Sequence, residues 1–241
     1  HNNNDLIYLT LNGDGVMDTV HYLRDNYCAD VVVLLEQTNF TGGVGWLLNA
    51  TQGLPDYAFS LTRVQQASWT YTTVHEIGHN LGCHHHKAQN VQPGPGLYTY
   101  SAGWRWTGSN NQKYCSVMTY ESGQYFTDGI DHSRTPFFSN PNILYYNTAT
   151  GDGVDGDNAR NIRQIKSVIA SYRSGCNLNS LTWTGLEDDN WNNPNNWDQN
   201  FVPIPSSDVL IPSAPIGGIF PVLNSENAYC NNLDIDINAE F

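Results

Sequence analysis

The chain has only 10 Lys and Arg against 23 Asp and Glu among its 241 residues, a formal net charge of -13 at pH 7. So few cations leave little to neutralise phosphates, which argues against nucleic acid or an anionic membrane surface as a partner. No apolar run approaches the ~20 residues a membrane-crossing helix needs. The five cysteines, Cys28, Cys83, Cys115, Cys176 and Cys230, include no C-x-x-C pair, which argues against a cysteine-built zinc knuckle. Their odd number leaves at least one thiol free or bonded to another molecule. No basic-then-apolar leader and no Met precede His1-Asn2-Asn3-Asn4, so the expectation is a processed or truncated product. Methionine is nearly absent as well: Met17 and Met118 are the two in the chain.

What is present is dominated by one segment, His75-Glu76-Ile77-Gly78-His79-Asn80-Leu81-Gly82-Cys83-His84-His85. His75 and His79 stand four apart, so on a helix they share a face and can hold one metal between two imidazoles. Glu76 follows the first of them and can lean toward a water on that metal. Gly82 falls where the helix must stop, and glycine accepts a left-handed turn without a Cβ penalty. After that reversal His85 supplies a third ligand. Three neutral imidazoles leave a fourth zinc position open, the arrangement of a catalytic rather than a structural site. The competing reading is a surface helix with incidental histidines in the run His84 to His86. With 21 Gly and 8 His in the chain, Gly82 and His85 would both fall at these offsets by chance in roughly 1 of 350 cases. A downstream Glu as third ligand is disfavoured, because His85 already holds the required spacing.

This pattern, H-E-x-x-H-x-x-G-x-x-H, resembles the extended zinc signature of the metzincin metalloproteases. Thirty-three residues after His85, Ser116-Val117-Met118-Thr119-Tyr120 resembles the metzincin Met-turn, in which Met118 would underlie the imidazoles. Tyr120, two residues on, either approaches the metal and the transition-state oxyanion, as in astacin-like and serralysin-like members, or is a buried Tyr with a satisfied hydroxyl. From about Asp14 to Cys176 the chain is similar to secreted bacterial members of the reprolysin (adamalysin-like) group. The supporting segments are Asp14-Gly15-Val16-Met17-Asp18, Ala29 to Leu35, Phe137-Phe138-Ser139-Asn140-Pro141 and Asp157 to Ile162. Reprolysins usually carry Asp after the third His, where this chain has His86. The resemblance implies that Cys83 and Cys115 flank one site, and a disulfide between them is expected. It also implies that residues 121–139 help wall the specificity pocket, and that a segment around Gly45 and Trp46 is an antiparallel sheet edge onto which substrate backbone adds as a strand.

Hydrophobic periodicity places the elements. Val16, Val20, Leu23 and Tyr27 predict a helix over about 15–27 with Asp14 as its cap. Val31 to Leu35 reads as a buried strand, Gly43 to Leu48 as a short one and Ala58 to Val64 as the next. Thr72 to Leu81 carries the zinc motif. Residues 89–142, rich in Gly, Pro, Ser and Asn, read as irregular structure. Asp157 or Asn158 caps a helix to about Tyr172. Only thirteen residues precede Asp14, where the family has two strands and a helix, so about three sheet strands are expected rather than five. Beyond Cys176, three Trp precede two alternating runs, Asp208–Pro212 and Leu233–Ile237. Asn12 to Asp18 and Asp152 to Asp157 resemble calcium loops without the EF-hand order, so Ca2+ is weakly supported and helix-entry turns are preferred.

The fold class expected is therefore α/β (α+β): an N-terminally incomplete metzincin-like catalytic domain over 1–176, with a twisted mixed sheet, a zinc helix and a Met-turn. A β-rich accessory module, cut short, follows over 177–241. The function expected is a secreted zinc endopeptidase acting on proteins or peptides. His75, His79 and His85 hold one Zn2+, Glu76 is the general base, Tyr120 an oxyanion donor, and Gly82 and Met118 shape the site. Two alternatives stand beside it: a zinc-binding but inactive fragment, and an adhesion or glycan-binding protein led by the tail.

Overall fold

The computed structural model describes residues 2–39, 42–67, 70–173, 180–223 and 227–239. Contacts divide the chain into two units, His1–Val20 with Asp30–Tyr172, and His21–Ala29 with Arg173–Phe241.

The first unit opens on a helix the sequence reading does not anticipate, α1 (Asn2–Thr10). Leu6 and Leu9, three apart and so on one face, are buried against Phe59. The predicted helix at 15–27 starts later, as α2 (Thr19–Asn26). Gly13, Gly15 and Met17 all have positive φ. Asp14 accepts the Val16 N–H, and Asp18 accepts the N–H groups of Gly13 and Gly15. Asp14 therefore closes a turn instead of capping the helix, and the carboxylates of this calcium-like loop are spent on amides.

The sheet of this unit has three strands among the described residues, β1 (Val32–Glu36), β2 (Gly43–Gly45) and β3 (Phe59–Arg63), in the order β1-β3-β2. β1 runs parallel to β3, with Val32 opposite Phe59, and β2 runs antiparallel, with Gly45 opposite Ser60. β3 lies between the other two, and Phe59 to Thr62 are wholly buried. β1 was expected to be buried on both faces, but as an edge strand it is half-buried and leaves Leu35 55% exposed.

α3 (Thr72–Asn80) packs on this sheet. Its β-branched start has weak helix propensity, so tertiary contacts hold it. Asn80 Nδ2 donates to the carbonyls of Trp46 (3.0 Å) and Phe59 (2.9 Å), tying the last turn to two strand segments. Residues 89–142 are less irregular than expected. β4 (Arg105–Thr107), β5 (Lys113–Cys115) and β6 (Ser133–Arg134) form a second small sheet, followed by the hairpin β7 (Leu144–Tyr145) and β8 (Thr148–Ala149). Strands of two or three residues are too short to show alternation, which is why the pattern misses them. α4 (Asn158–Ile169) is capped by Asp157, whose carboxylate accepts from Arg160 N at 2.9 Å, and it buries Ile165 and Ile169 against Leu48.

In the second unit β9 (Ser180–Thr182), β10 (Asp208–Ile211) and β11 (Asn232–Ile235) lie parallel in the order β11-β10-β9. Val209 is level with Leu181 on one side and Leu233 on the other. Its core is Leu181, Trp183, Trp191, Trp197, Phe201, Val209 and Ile211. Trp197 meets Trp183 and Trp191 edge-on at 5.0 and 4.8 Å between centroids, the geometry the ring quadrupole favours.

The disulfide expected between Cys83 and Cys115 is absent: both are free, buried thiols. Each sulfur has its own polar neighbours, Cys83 the Asn158 carbonyl and Asn161 Nδ2, Cys115 the carbonyls of Thr119 and His132. Cys28 is disulfide-bonded. No helix among the described residues is long and apolar enough to cross a membrane.

Candidate metal centre

α3 presents His75, Glu76 and His79 on its buried side. The helix then ends in two bonds, Cys83 N to Gly78 O and Gly82 N to His79 O, both 2.9 Å. This is the Schellman arrangement, which needs a left-handed residue at Gly82, and φ there is +80°. A Cβ on Gly82 would also sit 2.8 Å from the Leu97 side chain. The reversal brings His85 back, 1% exposed, to face the two helical imidazoles. One ligand nitrogen from each of His75, His79 and His85 lies within 4.8 Å of the others, and this is the only such cluster of three among the described residues.

The donor set fits a zinc ion. Each ring has its Nδ1 against a backbone carbonyl: His75 on Val117 O (2.9 Å), His79 on Cys83 O (3.0 Å) and His85 on Gln92 O (2.9 Å). A carbonyl can only accept, so each Nδ1 carries the proton and each Nε2 is left as a lone pair. The Nε2 atoms of His75 and His85 stand 3.1 Å apart, close to the separation of about 3.3 Å for two nitrogens on one tetrahedral zinc. Burial and the neighbouring imidazoles hold His75 down at about 3 and His79 well below its usual value, and burial and His84 hold His85 down at about 4. Three lone pairs converging in a buried pocket repel one another, and a cation between them relieves that repulsion.

The turn that carries His85 is pinned by α4, which the sequence reading did not connect to the site. Asn161 Nδ2 donates to Leu81 O at 2.6 Å, its Oδ1 accepts from Ser101 Oγ at 3.0 Å, and Asn158 Nδ2 donates to His84 O at 3.2 Å. Both Asn are wholly buried. An Asn pair at i, i+3 on a predicted helix, inside its apolar stripe, was the available signal.

Met118 is wholly buried with Cys83 and Val117. A Cβ on Gly78 would lie 2.5 Å from Met118 Sδ, so the glycine between the two helical histidines is what lets the sulfur touch the helix. Glu76, 5% exposed, lies under β2. A Cβ on Gly43 would lie 2.5 Å from Glu76 Oε1, and one on Gly45 would lie 2.8 Å from the Glu76 carbonyl, so the strand passes over the carboxylate only because both residues are glycine. Burial raises the Glu76 carboxyl to about 8, with Arg134 opposing. A cleft of about 200 Å³ runs along this strand, lined by Gly43, Val44, Gly45, His75, Glu76, His79, His85, Gln92 and Tyr120. Trp46 is not among these residues; its indole N–H donates to Thr10 Oγ1 at 2.7 Å and its ring joins the core under α1. Tyr120 packs 4.7 Å from the His85 ring, and its backbone N–H donates to Gln89 Oε1. Burial and the Glu76 carboxylate keep its hydroxyl protonated.

Comparison with known proteins agrees with this geometry. Residues 3–129, more than half of the chain, match the family model Reprolysin_5, metallo-peptidase family M12. The chain belongs to this family. M12 metallopeptidases use zinc, and the three-histidine cluster is where this member could hold it. The chain is 29% identical over 170 residues to a peptidyl-Asp metalloendopeptidase of Stenotrophomonas maltophilia (strain R551-3), covering 70% of this chain and 38% of that protein. It is likewise 29% identical over 170 residues to one of Xanthomonas campestris pv. campestris (70% and 37%), and 26% identical over 178 residues to one of Pseudomonas aeruginosa (64% and 28%). The chain thus spans little more than a third of the length of the Stenotrophomonas and Xanthomonas relatives. A solved chaperone-substrate complex superposes on 65% of this chain and 23% of that one at 20% identity and a TM-score of 0.44, too distant a likeness to bear on the fold.

Proposed function

We propose that this chain is a zinc-dependent endopeptidase of secreted type, with His75, His79 and His85 as the metal ligands and Glu76 as the general base. The observation that carries the reading is the convergence of three Nε2 lone pairs beside a buried carboxylate, under the edge strand β2. What zinc supplies when bound is Lewis acidity, which brings the pKa of water toward ~7 and polarises the scissile carbonyl. The chain's own residues do the rest. Substrate backbone adds to β2 beside Gly45, which holds the scissile bond over the cleft. Glu76 takes the proton of the attacking water on its carboxylate and delivers it to the leaving amine nitrogen. Tyr120, protonated and facing the same cleft, donates to the developing oxyanion. Met118, in a Met-turn, and Gly82 set the floor and the turn that hold the imidazoles.

Because the relatives are named peptidyl-Asp metalloendopeptidases, we extend cleavage beside aspartyl residues to this chain. The bonded Cys28 suits an oxidising, extracytoplasmic setting. We assign residues 177–241 to an accessory β-rich module, which the parallel strands β9 to β11 support. The test is Glu76→Ala. It should retain one zinc per chain while cleaving a peptide library at least about a thousandfold more slowly. Normal turnover by that variant would remove Glu76 from the mechanism.

A further inference from the structure

Beside the metal cleft lies a second cavity of about 390 Å³, and the two share Gly43, His75, Glu76 and Tyr120. On the endopeptidase reading, a substrate strand laid along β2 would pass over Glu76 and set a side chain next to the scissile bond in this cavity. Its other lining residues are Gly42, Gln66, Thr70, Thr72, Glu121, Tyr125 and Arg134. None of these described side chains is aliphatic, so the wall they form suits a polar group rather than hydrocarbon.

Arg134 is the one cation among the described residues of that lining. The chain as a whole carries only 10 Lys and Arg and a net charge of -13, a field that repels acidic peptides, which makes a single arginine placed at the cleft the feature that can reverse it. Its side chain is 12% exposed. Nη1 donates to Thr70 O at 2.9 Å and Nη2 to Thr119 O at 3.1 Å, which fixes the guanidinium from two sides. Both partners are neutral carbonyls, so they orient the group without cancelling its charge. Nε is buried without a hydrogen-bond partner among the described residues. Two carboxylates are near. Glu76 is the proposed general base. Glu121 is held back by the Arg134 backbone N–H, 3.3 Å from its Oε1, so its Oε2 stops 3.9 Å from Nη2, and its side chain is 49% exposed. A cation nearly removed from water and this incompletely neutralised favours a further anion.

We propose that Arg134 is the specificity-determining residue of this enzyme and binds the carboxylate of an acidic substrate side chain adjoining the scissile bond. The inference rests on the endopeptidase reading and names the residue that reads the substrate. Glu121 acts as a weak internal stand-in, displaced when that carboxylate enters. Arg134 lies within the 121–139 stretch expected to wall the specificity pocket, and the feature that singles it out, its position on β6 facing the cleft, exists only in the folded chain.

The experiment uses the zinc-loaded chain and matched peptides with Asp or its neutral isostere Asn at each of the two positions flanking the cleaved bond. At one of them the wild type should prefer Asp in kcat/KM by roughly ten- to hundredfold, the range of a charge-assisted hydrogen bond. In Arg134→Gln that ratio should fall to near one, whatever the rate common to both peptides, and Glu121→Gln should speed the Asp peptide. Equal rates for Asp and Asn in the wild type would overturn the proposal. So would an Arg134→Gln that slows both peptides equally, since that is what a purely structural arginine gives. Binding of the same peptides to Glu76→Gln, followed by fluorescence anisotropy, separates this inference from the reading it rests on. Asp-selective binding that requires Arg134 supports the pocket assignment even if no peptide is cleaved, and cleavage without any Asp selectivity sinks the assignment alone.

Discussion

Replacing Asn161 by Ala tests whether α4 holds the metal site together. Asn161 is wholly buried and its side chain makes three directed contacts, Nδ2 to the Leu81 carbonyl at 2.6 Å and to Cys83 Sγ at 3.5 Å, and Oδ1 from the Ser101 hydroxyl at 3.0 Å. Leu81 is the C-cap residue of α3, immediately before Gly82 and four residues before His85. Truncation leaves a part-buried carbonyl and a buried hydroxyl short of a partner. At about 1–3 kcal/mol for each of these two groups the loss is about 2–6 kcal/mol, a large part of the ~5–15 kcal/mol that holds a domain folded. Looser placement of the turn should also weaken zinc by about 10–100-fold, as removal of outer partners of metal ligands does. Urea unfolding of the metal-free protein gives the first quantity and chelator competition the second. Lys166→Ala, an exposed change on the same helix, is the control and should stay within about 0.5 kcal/mol of wild type. If Asn161→Ala matches that control in both measurements, the tether between α4 and the metal turn is not energetically real.

The remaining predictions concern charge, thiols and the second unit. In the metal-free fold the Glu76 carboxyl is raised by burial from its ordinary 4.5 to about 8. The folded state therefore keeps a proton that the unfolded chain releases, and stability falls as pH rises from about 4.5 to 8. The lowered histidines act with the opposite sign in wild type and variant alike, so they cancel in the comparison. Glu76→Gln should accordingly gain up to about 3 kcal/mol on wild type at pH 7 and nothing near pH 4.5; parallel stability curves would refute the buried carboxyl. Cys83 and Cys115 are free and buried, and burial pushes the Cys115 thiol up to about 12 and the Cys83 thiol higher. A thiol reagent should therefore label both only after unfolding without reductant, whereas protection that persists in urea would indicate a bond. Trp197→Ala should cost about 3–5 kcal/mol in unfolding followed by fluorescence, because Trp197 is edge-on to both Trp183 and Trp191 in the core of the second unit; a loss under about 1 kcal/mol would show that the core is not packed there.

How much of this was legible beforehand depends on how local each feature is. The histidine spacing, the glycine stop at Gly82 and the cap at Asp157 are short-range instructions, and α3 and α4 formed where they point. β3 was readable because a central strand shows as an apolar run, and β10 because its alternation matches a one-faced core. α1 was missed because a stretch beginning Asn2-Asn3-Asn4 carries its case only in Leu6 and Leu9, whose partner Phe59 is far away in sequence. The second small sheet was missed because its strands are two or three residues long. The Cys83–Cys115 pairing followed from a supposed shared location, and the fold gives each sulfur different neighbours. Asn158, Asn161 and Arg134 act on groups 15 to 80 residues away, a relation no local pattern encodes.

The central claim is that one zinc ion sits between His75, His79 and His85 and enables peptide-bond hydrolysis. Metal analysis of the purified chain, run beside hydrolysis of a broad peptide library with and without a chelator, tests it most directly. One zinc per chain, absent from His85→Ala, with cleavage abolished by chelation and restored by added zinc, is the predicted result. A chain that takes up no zinc, or that cleaves equally well after the metal is stripped, would contradict it.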